Sequence, residues 1–219
     1  MFRFLFDNPY PVGHRFMLVG VYAVALLVAL VLHEVAHAFA AYKAGDPTAK
    51  LSKRLSLNPI RHLDPLGTVF LVIMGFGWAK PVPVNPFNYK NFRKGNFWVS
   101  ISGVLTNLVI AIVSSFFMYL TSLSGLGNVW MFGLFHLFFF LTVINVLFML
   151  FNLLPIFPLD GYNVLVSFTK PNNKFMAFMR QNSMFILPIV LIVLIATNAL
   201  SHVQLGIFRA VMGFWGLMF

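Results

Sequence analysis

The chain has 219 residues, of which 60% are hydrophobic and 9% are charged, whereas a soluble domain carries about 25% charged residues. This composition excludes an ordinary soluble domain, and the absence of cysteine excludes disulfides and thiolate chemistry. The formal net charge of +10 favours basic segments that flank membrane spans over a nucleic-acid partner, because lysine and arginine set the orientation of such spans.

Apolar runs predict the helices that cross a membrane. The first run covers residues 16–42 and exceeds the roughly 20 residues needed to span hydrocarbon. A basic segment follows it, and residues 66–78 then form an apolar run that is too short to span. We expect this run to re-enter the membrane from one side, and a β-hairpin near residues 66–86 would suit it. Alternating prolines predict an extended loop over residues 79–96.

Two further spans are predicted at residues 97–123 and 129–154, and the stretch "PIFPLDG" ends the second of them. Another span is predicted at residues 183–200, where Pro188 is expected to produce a kink. The tail, residues 204–219, either spans in part or lies in the interface. The sequence therefore predicts an all-α polytopic membrane protein, a bundle of about four to six transmembrane helices.

The distribution of lysine and arginine predicts the orientation in the membrane. Basic residues are dense between residues 43 and 94 and again between residues 170 and 180, while the turns "TSLSGLGN" and "NALSHVQ" contain none. The positive-inside rule places the basic segments in the cytoplasm and the N-terminus outside, in the cell membrane. This orientation requires residues 66–78 to re-enter rather than cross.

The stretch "VLHEVAHAFA" places two histidines and a glutamate inside the first span. His33 and His37 are four residues apart, so a helix carries both on one face with Glu34 beside them. H-E-x-x-H on a helix is typical of a zinc site in which the glutamate is the general base. The alternative is a pair of histidines that only hydrogen-bond inside a bundle. It is the weaker interpretation, because ionisable groups within a span are costly and usually functional.

A catalytic zinc site needs a third protein ligand and an open position for water. Glu34 is the only glutamate in the chain, and Ala40 and Lys43 occupy the defining positions of the longer motif H-E-x-x-H-x-x-G-x-x-H. The third ligand is therefore a histidine or an aspartate. The candidates are His14, His62, His136, His202, Asp7, Asp46, Asp64 and Asp160.

Depth in the membrane favours Asp160 among these candidates. His37 lies six residues before Lys43, which puts the site about 9 Å below the basic boundary. Asp160 follows an inward-running span where prolines break the helix, so it can reach the same depth. His136 is better explained as a hydrogen-bonded core histidine. The other candidates fall near the opposite surface or in basic sequence, where aspartates pair with lysine or cap helices.

The pair "HEVAH" and "NLLPIFPLDG" resembles the site-2 protease family of intramembrane zinc metalloproteases, which combines HExxH with N-x-x-P-x-x-x-L-D-G. The stretches "GFGWAKPVPVNP" and "SGVLTNL" are similar too, and Val104 is a departure where relatives often have proline. The resemblance covers roughly residues 20–165. It implies a minimal single-domain member, residues 1–219, without a PDZ-like or nucleotide-sensing domain. Its catalytic core would cover about residues 16–168 and its C-terminal helices about 183–219.

The resemblance also implies roles for five side chains. His33, His37 and Asp160 would hold one zinc ion per chain, and Glu34 would take a proton from water and deliver it to the leaving amine. Asn152 would contact the substrate backbone, where its amide could also help to stabilise an oxyanion. The alternative for Asn152 is a polar bond between helices.

The function expected from these residues is that of an intramembrane endopeptidase, which cuts a peptide bond within a transmembrane helix of a membrane protein. Helix hydrogen bonds protect that bond, so the substrate has to unwind; residues 67–86 either offer it a β-edge or only pack the bundle. The expected partners are this transmembrane protein and the lipid bilayer, without nucleic acid. Two alternatives stay open, a membrane zinc transporter and a non-catalytic zinc-binding membrane partner.

Overall fold

A computed structural model of the chain describes residues 10–74, 79–124, 128–170 and 173–218. All regular secondary structure in these ranges is helical, so the all-α expectation is confirmed. The α-helices are α1 (Val12–Ala44), α2 (Thr48–Leu51), α3 (Pro65–Met74), α4 (Phe92–Leu123), α5 (Val129–Asn152), α6 (Asp160–Phe168), α7 (Lys174–Gln181), α8 (Ser183–Ala196) and α9 (Ala199–Met218). Short 3-10 turns occur at Pro59–Arg61 and Pro86–Asn88.

Three of the described helices, α1, α4 and α5, are long and apolar enough to cross a membrane. The helices α7 and α8 meet at a 74° bend and add a fourth crossing if the bent pair is one span. The protein is thus polytopic, as expected, and its described residues contain three candidate spans, or four with the bent pair, against the four to six expected. The span predicted at residues 183–200 is divided, because α8 ends at Ala196, and the 74° bend lies before Pro188 rather than at it.

Local sequence signals fix where the long helices begin and end. The helix α1 ends at Ala44 and is capped by Gly45, whose φ of 113° is left-handed and whose amide donates to carbonyl groups of the last turn. The helix α4 begins after Asn91, whose side chain accepts a hydrogen bond from the Lys94 amide at 3.0 Å. The helix α5 begins in the same way after Asn128, whose side chain accepts from the Trp130 amide at 2.8 Å.

The helices α1, α4 and α5 pack into one bundle. The core between α1 and α5 is formed by six buried side chains: Leu18, Ala25, Ala29, Phe132, Phe140 and Ile144. Its two alanines let the backbones approach closely, as is usual between helices in a membrane. A buried hydrogen bond of 3.0 Å between Ser114 and Thr142 joins α4 to α5 in the interior.

The expected β-hairpin near residues 66–86 is wrong where the structure describes this segment, because residues 65–74 form α3 and no strand occurs in the described ranges. A helix satisfies its own backbone in an apolar environment, whereas an isolated hairpin leaves two unpaired edges. Asp64 precedes α3 and caps it, since its Oδ1 accepts a hydrogen bond from the Gly67 amide at 2.8 Å. The helix is about 15 Å long and cannot cross about 30 Å of hydrocarbon.

The two ends of this segment lie side by side. Leu63 and Ala79 form an isolated antiparallel bridge, and the Lys80 amide donates to the His62 carbonyl at 2.9 Å. The chain therefore leaves and returns at one level, which is the geometry that re-entry requires. Residues 75–78, at the tip of the expected re-entrant run, lie outside the described residues.

Asp46 ties the loop after this segment to the end of α1. It is fully buried, and its carboxylate accepts from the Thr48 amide at 3.1 Å, the Asn85 amide at 2.6 Å and the Asn88 side chain at 2.8 Å. The sequence predicted that Asp46 and Asp64 pair with basic residues or cap helices. In the structure both bind backbone amides.

We expect the variant Asp46→Asn to lower the free energy of unfolding by about 1.5–3 kcal/mol near neutral pH, the range for a hydrogen bond to a charged group. Burial by itself would raise the pKa of the Asp46 carboxyl, but the bonds from Asn85, Thr48 and Asn88 outweigh it and lower that pKa. The stabilisation is therefore present above the unfolded pKa of about 3.9 and is lost as the pH falls through the lower folded pKa. Thermal unfolding across pH tests this, and a difference between the two proteins that stays constant in acid would contradict it.

Candidate metal centre

The helices α1 and α6 bring three ligand-type side chains together. His33 and His37 are one turn apart in α1, and Asp160 is the first residue of α6. The Nε2 atoms of the two histidines are 3.0 Å apart, and each lies 3.3 Å from Oδ2 of Asp160. Within the described residues, no other group of three such side chains is close enough to share a metal ion.

Hydrogen bonds to α4 fix the proton on each histidine ring. Nδ1 of His37 donates to the Val99 carbonyl at 2.7 Å, and Nδ1 of His33 donates to Oδ1 of Asn107 at 3.0 Å. Both partners are carbonyl oxygens, which only accept, so each ring carries a proton on Nδ1 and the neutral form has its lone pair on Nε2. The Nε2 lone pairs therefore face the centre, as is usual for histidine ligands oriented by a second hydrogen bond.

The donor set of this centre fits zinc. Two Nε2 lone pairs and a carboxylate oxygen face one another, and Oδ2 of Asp160 is buried with no neighbouring hydrogen-bonding group among the described residues besides these two rings. Such an arrangement is unfavourable unless a cation lies between the three atoms. Tetrahedral zinc with bonds of about 2.0–2.2 Å sets its ligand atoms roughly 3.3–3.5 Å apart, close to the 3.0 and 3.3 Å found here.

Two features of α4 and α6 hold Asp160 at this place. The Asn96 side chain of α4 donates to the Asn163 carbonyl at 2.6 Å and to Ser167 Oγ at 2.9 Å, which fastens α6 to α4. Gly161 allows the chain to turn tightly after α5, because a Cβ there would lie 2.2 Å from the Leu153 carbonyl oxygen. The glycine of "LDG" is therefore required by close backbone approach.

Gly103 is the point where α4 touches both histidine rings. A Cβ at this position would lie 2.5 Å from Cε1 of His33 and 2.6 Å from Nε2 of His37. A glycine here lets α4 approach α1 closely enough for Val99 and Asn107 to reach the rings.

We expect Gly103→Ala to displace both rings and to lower zinc retention in the purified protein by at least about tenfold, the lower end for a disturbed supporting shell. Gly20→Ala is the matched control, since it also adds one methyl group to a long helix but meets no atom within 4 Å. Metal analysis after dialysis compares the two variants. Equal zinc retention in both would contradict the role assigned to Gly103.

Glu34 lies beside the metal-type ligands and is held by the extended segment before α4. Its Oε2 accepts from the Val82 amide at 2.9 Å, and Val82 is buried. Pro81 and Pro83 on either side have no amide hydrogen, so Val82 is the donor that this stretch offers. Together with the three ligand residues, Glu34 lines a cavity of about 250 Å³.

Asn152 lines the same cavity from the last turn of α5. Its Nδ2 donates to the Phe148 carbonyl of its own helix at 3.0 Å. The polar bond between helices that was the alternative for Asn152 is not among its hydrogen bonds in the described residues. The side chain stands where it can meet a molecule in the cavity.

The structure places the remaining described ligand candidates elsewhere: His14, His62, His136, His202, Asp46 and Asp64. His62 is fully buried, with Nε2 2.7 Å from the Ser56 carbonyl. His136 has Nδ1 2.8 Å from the Phe132 carbonyl, which is the core histidine expected from the sequence. Asp7 lies outside the described residues.

Comparisons with known proteins give the same result as the geometry. Residues 119–196 match peptidase family M50. A protein of Bacillus subtilis (strain 168) named "Putative zinc metalloprotease YwhC" is 40% identical over 195 residues, which are 88% of this chain and 86% of that protein. The chain belongs to peptidase family M50. This is the site-2 protease family, so the resemblance read from the motifs is confirmed.

A second M50 relative matches in part. The Mycolicibacterium smegmatis protein named "Putative zinc metalloprotease Rip2" is 32% identical over 103 residues, 43% of this chain and 39% of that protein. No solved structure matches the chain. The match to the Bacillus protein covers 88% of the chain, so fewer residues lie outside it than the 32 that precede His33. The matched region therefore includes the positions of both His33 and Asp160.

Sequence reasoning missed the groups of this M50 chain that orient the ligands. Asn107 and Gly103 belong to "SGVLTNL", which the motif comparison singled out without a role. The Val99 carbonyl and the Val82 amide carry no side-chain signal, because they are backbone groups. Their contribution depends on how α4 packs against α1, and periodicity does not specify that packing.

Proposed function

We propose that this M50 chain is an intramembrane zinc endopeptidase that hydrolyses a peptide bond within a transmembrane helix of a membrane protein. One observation carries the proposal. The three metal-type ligands and Glu34 line one cavity, and His33, His37 and Glu34 belong to a helix long and apolar enough to span a membrane. Both relatives carry names that describe zinc metalloproteases, which supports zinc as the metal.

His33, His37 and Asp160 would hold one zinc ion per chain. Zinc in such a site supplies Lewis acidity, which makes water more acidic and polarises a carbonyl group. The chain contributes the geometry, since α4 holds both imidazoles in the correct tautomer and fastens the helix that carries Asp160. No reorganisation of the ligands is then needed when a substrate arrives.

Glu34 is the general base of the proposed reaction. One of its oxygens, Oε2, is held by the Val82 amide, which leaves Oε1 to accept a proton from water. The same carboxyl group then delivers this proton to the leaving amine. The bond to Val82 orients the carboxylate, so that the proton transfer takes place from a fixed position.

The extended segment over residues 79–85 offers a partner to an unwound substrate. Val82 and Val84 line the cavity, and among the described residues the Val84 amide has no hydrogen-bond partner. A substrate strand could pair with this backbone and so replace the bonds that its helix loses. Asn152, across the cavity, would bind the substrate backbone and help to stabilise an oxyanion.

The cytoplasmic side is the proposed side of access. His37 precedes Lys43 by six residues, about 9 Å of helix, so the centre lies nearer the basic boundary than the middle of about 30 Å of hydrocarbon. The positive-inside rule assigns that boundary to the cytoplasm, which puts the N-terminus outside in a cell membrane. The partners proposed are a transmembrane-helix substrate and the lipid bilayer.

The two alternatives from the sequence have less support. A zinc transport path would need acidic or histidine groups at successive depths, whereas the described residues bring together one such group. A non-catalytic partner would not need Glu34 held beside the ligands. Membership of a peptidase family favours the enzyme over both.

The test is cleavage of a single-span substrate reconstituted with the enzyme in vesicles. We expect products cut in the half of the transmembrane helix nearer the basic boundary, as read by mass spectrometry. Cuts confined to soluble loops would overturn the intramembrane assignment. Cuts clustered in the other half would overturn the orientation.

A further inference from the structure

A groove of about 540 Å³ runs between α1 and α4, beside the candidate metal centre. One end of the groove is basic and the rest is apolar. Lys43 of α1, Lys90 before α4 and Lys94 in the first turn of α4 line one end, and Phe39, Trp98 and Leu105 line the rest. The groove is not part of the cavity that contains His33, Glu34 and Asp160.

In the part of the chain that the structure describes, the lysine end of the groove has no counter-charge within ion-pair distance. Among the described residues, no carboxylate lies within 4 Å of Lys43, Lys90 or Lys94. The described acidic residues bind other groups: Glu34 binds the Val82 amide, Asp46 binds Asn85 and Asn88 of the loop that also carries Lys90, Asp64 binds the Gly67 amide, and Asp160 faces the histidines. The N-terminus of the 32-residue α4 adds further positive potential at the same end.

The apolar part of the groove has the length of one membrane leaflet. Phe39, Trp98 and Leu105 are 53%, 58% and 41% exposed, so large parts of these side chains face outward, and the Lys43 ammonium lies 5.4 Å from the centre of the Phe39 ring. Lys94 and Leu105 are eleven residues apart in α4, which is about 16 Å along the helix axis. Half of the hydrocarbon layer is about 15 Å thick, so lysines at the headgroup level place Leu105 near the bilayer centre.

We propose that this groove binds one anionic phospholipid. The phosphate lies at Lys43, Lys90 and Lys94, and one acyl chain lies along Phe39, Trp98 and Leu105. Charge complementarity selects the headgroup, since lysine binds phosphate as a point charge, and basic pockets between transmembrane helices attract anionic lipids. The match in length between the apolar wall and one leaflet selects a lipid over a soluble phosphate. The proposal does not depend on the protease assignment.

Trp98 provides a direct probe of the groove. The protein is reconstituted in phosphatidylcholine vesicles that contain an equal minor fraction of either brominated phosphatidylglycerol or brominated phosphatidylcholine. The contribution of Trp98 to fluorescence is obtained by subtracting the emission of Trp98→Phe. We expect brominated phosphatidylglycerol to bind with roughly tenfold preference and to quench Trp98 more strongly, because three lysines attract its headgroup.

A charge-matched pair of triple variants locates the site. The first carries Lys43→Gln, Lys90→Gln and Lys94→Gln, and we expect it to quench equally with both lipids. The control carries the same loss of charge outside the groove, in the exposed lysines Lys50→Gln, Lys53→Gln and Lys80→Gln, and it should keep the preference. The single variant Lys94→Gln should weaken the preference in part, which gives a second reading if the first triple variant folds poorly.

Three outcomes would overturn the proposal. Equal quenching of wild-type Trp98 by the two lipids would show that the groove does not select an anionic lipid. An equal loss of preference in both triple variants would assign the effect to general surface charge. If both lipids quench Trp98 equally and a soluble acidic peptide reduces that quenching, the groove would be assigned to an acidic protein segment.

Discussion

The variant Glu34→Gln is expected to reduce cleavage of a single-span substrate by roughly 100- to 10,000-fold, the usual contribution of a general base. Glutamine has the shape of glutamate and still offers a carbonyl oxygen to the Val82 amide, so the local fold should be kept. It cannot take a proton from water. Its side chain is not among the three ligand atoms, so zinc content should stay close to one ion per chain.

Two measurements on the same preparation separate a loss of catalysis from a loss of metal. Product formation and zinc content are compared between wild type, Glu34→Gln and Asp64→Asn. The last variant alters a carboxylate that caps α3 and is not one of the metal-type ligands. Asp64→Asn should cleave at nearly the wild-type rate. Wild-type cleavage by Glu34→Gln would remove Glu34 from the mechanism, and loss of zinc from it would make Glu34 a ligand.

The variant Asp160→Ala is expected to weaken zinc binding by at least about 100-fold, because even changes in the groups that support a ligand cost 10- to 100-fold. Asp160 contributes the one carboxylate among the three ligand atoms, and its removal leaves two imidazoles one turn apart. Cleavage should be lost in parallel. The affinity is measured by competition with a chelator of known affinity.

Asp64→Ala is the control for this second variant, since it also removes a carboxylate from the first turn of a helix. It should retain zinc. Full zinc retention by Asp160→Ala would mean that another side chain completes the ligand set. Zinc loss without loss of cleavage would separate the metal from the reaction.

The sequence predicts this centre well because the evidence for it is either close spacing along one helix or the small number of acidic residues in the chain. His33, Glu34 and His37 lie within one helical turn and a half, so any helix over this stretch presents them together. Asp160 follows from the scarcity of acidic residues and from the depth argument, and the structure brings its carboxylate to both histidines. The long apolar runs predicted α1, α4 and α5 with ends within about five residues of those observed.

The predictions that were wrong or incomplete concern packing and short apolar segments. An apolar stretch of ten residues fits a buried strand or a helix equally well by periodicity, and the structure shows that residues 65–74 are helical. Pro188 is tolerated inside α8, while the chain bends where α7 meets α8. Neither outcome depends on a side-chain pattern that could be read in advance.

The helix α4 contributes no ligand to the centre, yet it contacts every element that does. Its Asn107 and Val99 orient the two histidines, its Gly103 sets their distance, and its Asn96 holds α6. It is the template on which the ligand set is aligned. A slip of α4 by one residue would be about 1.5 Å of axial travel and would misalign all three ligands at once. If the proposed function holds, admission of a substrate helix would therefore leave α1, α4 and α6 together as one rigid body, and the movement would occur in the parts of the chain attached around it.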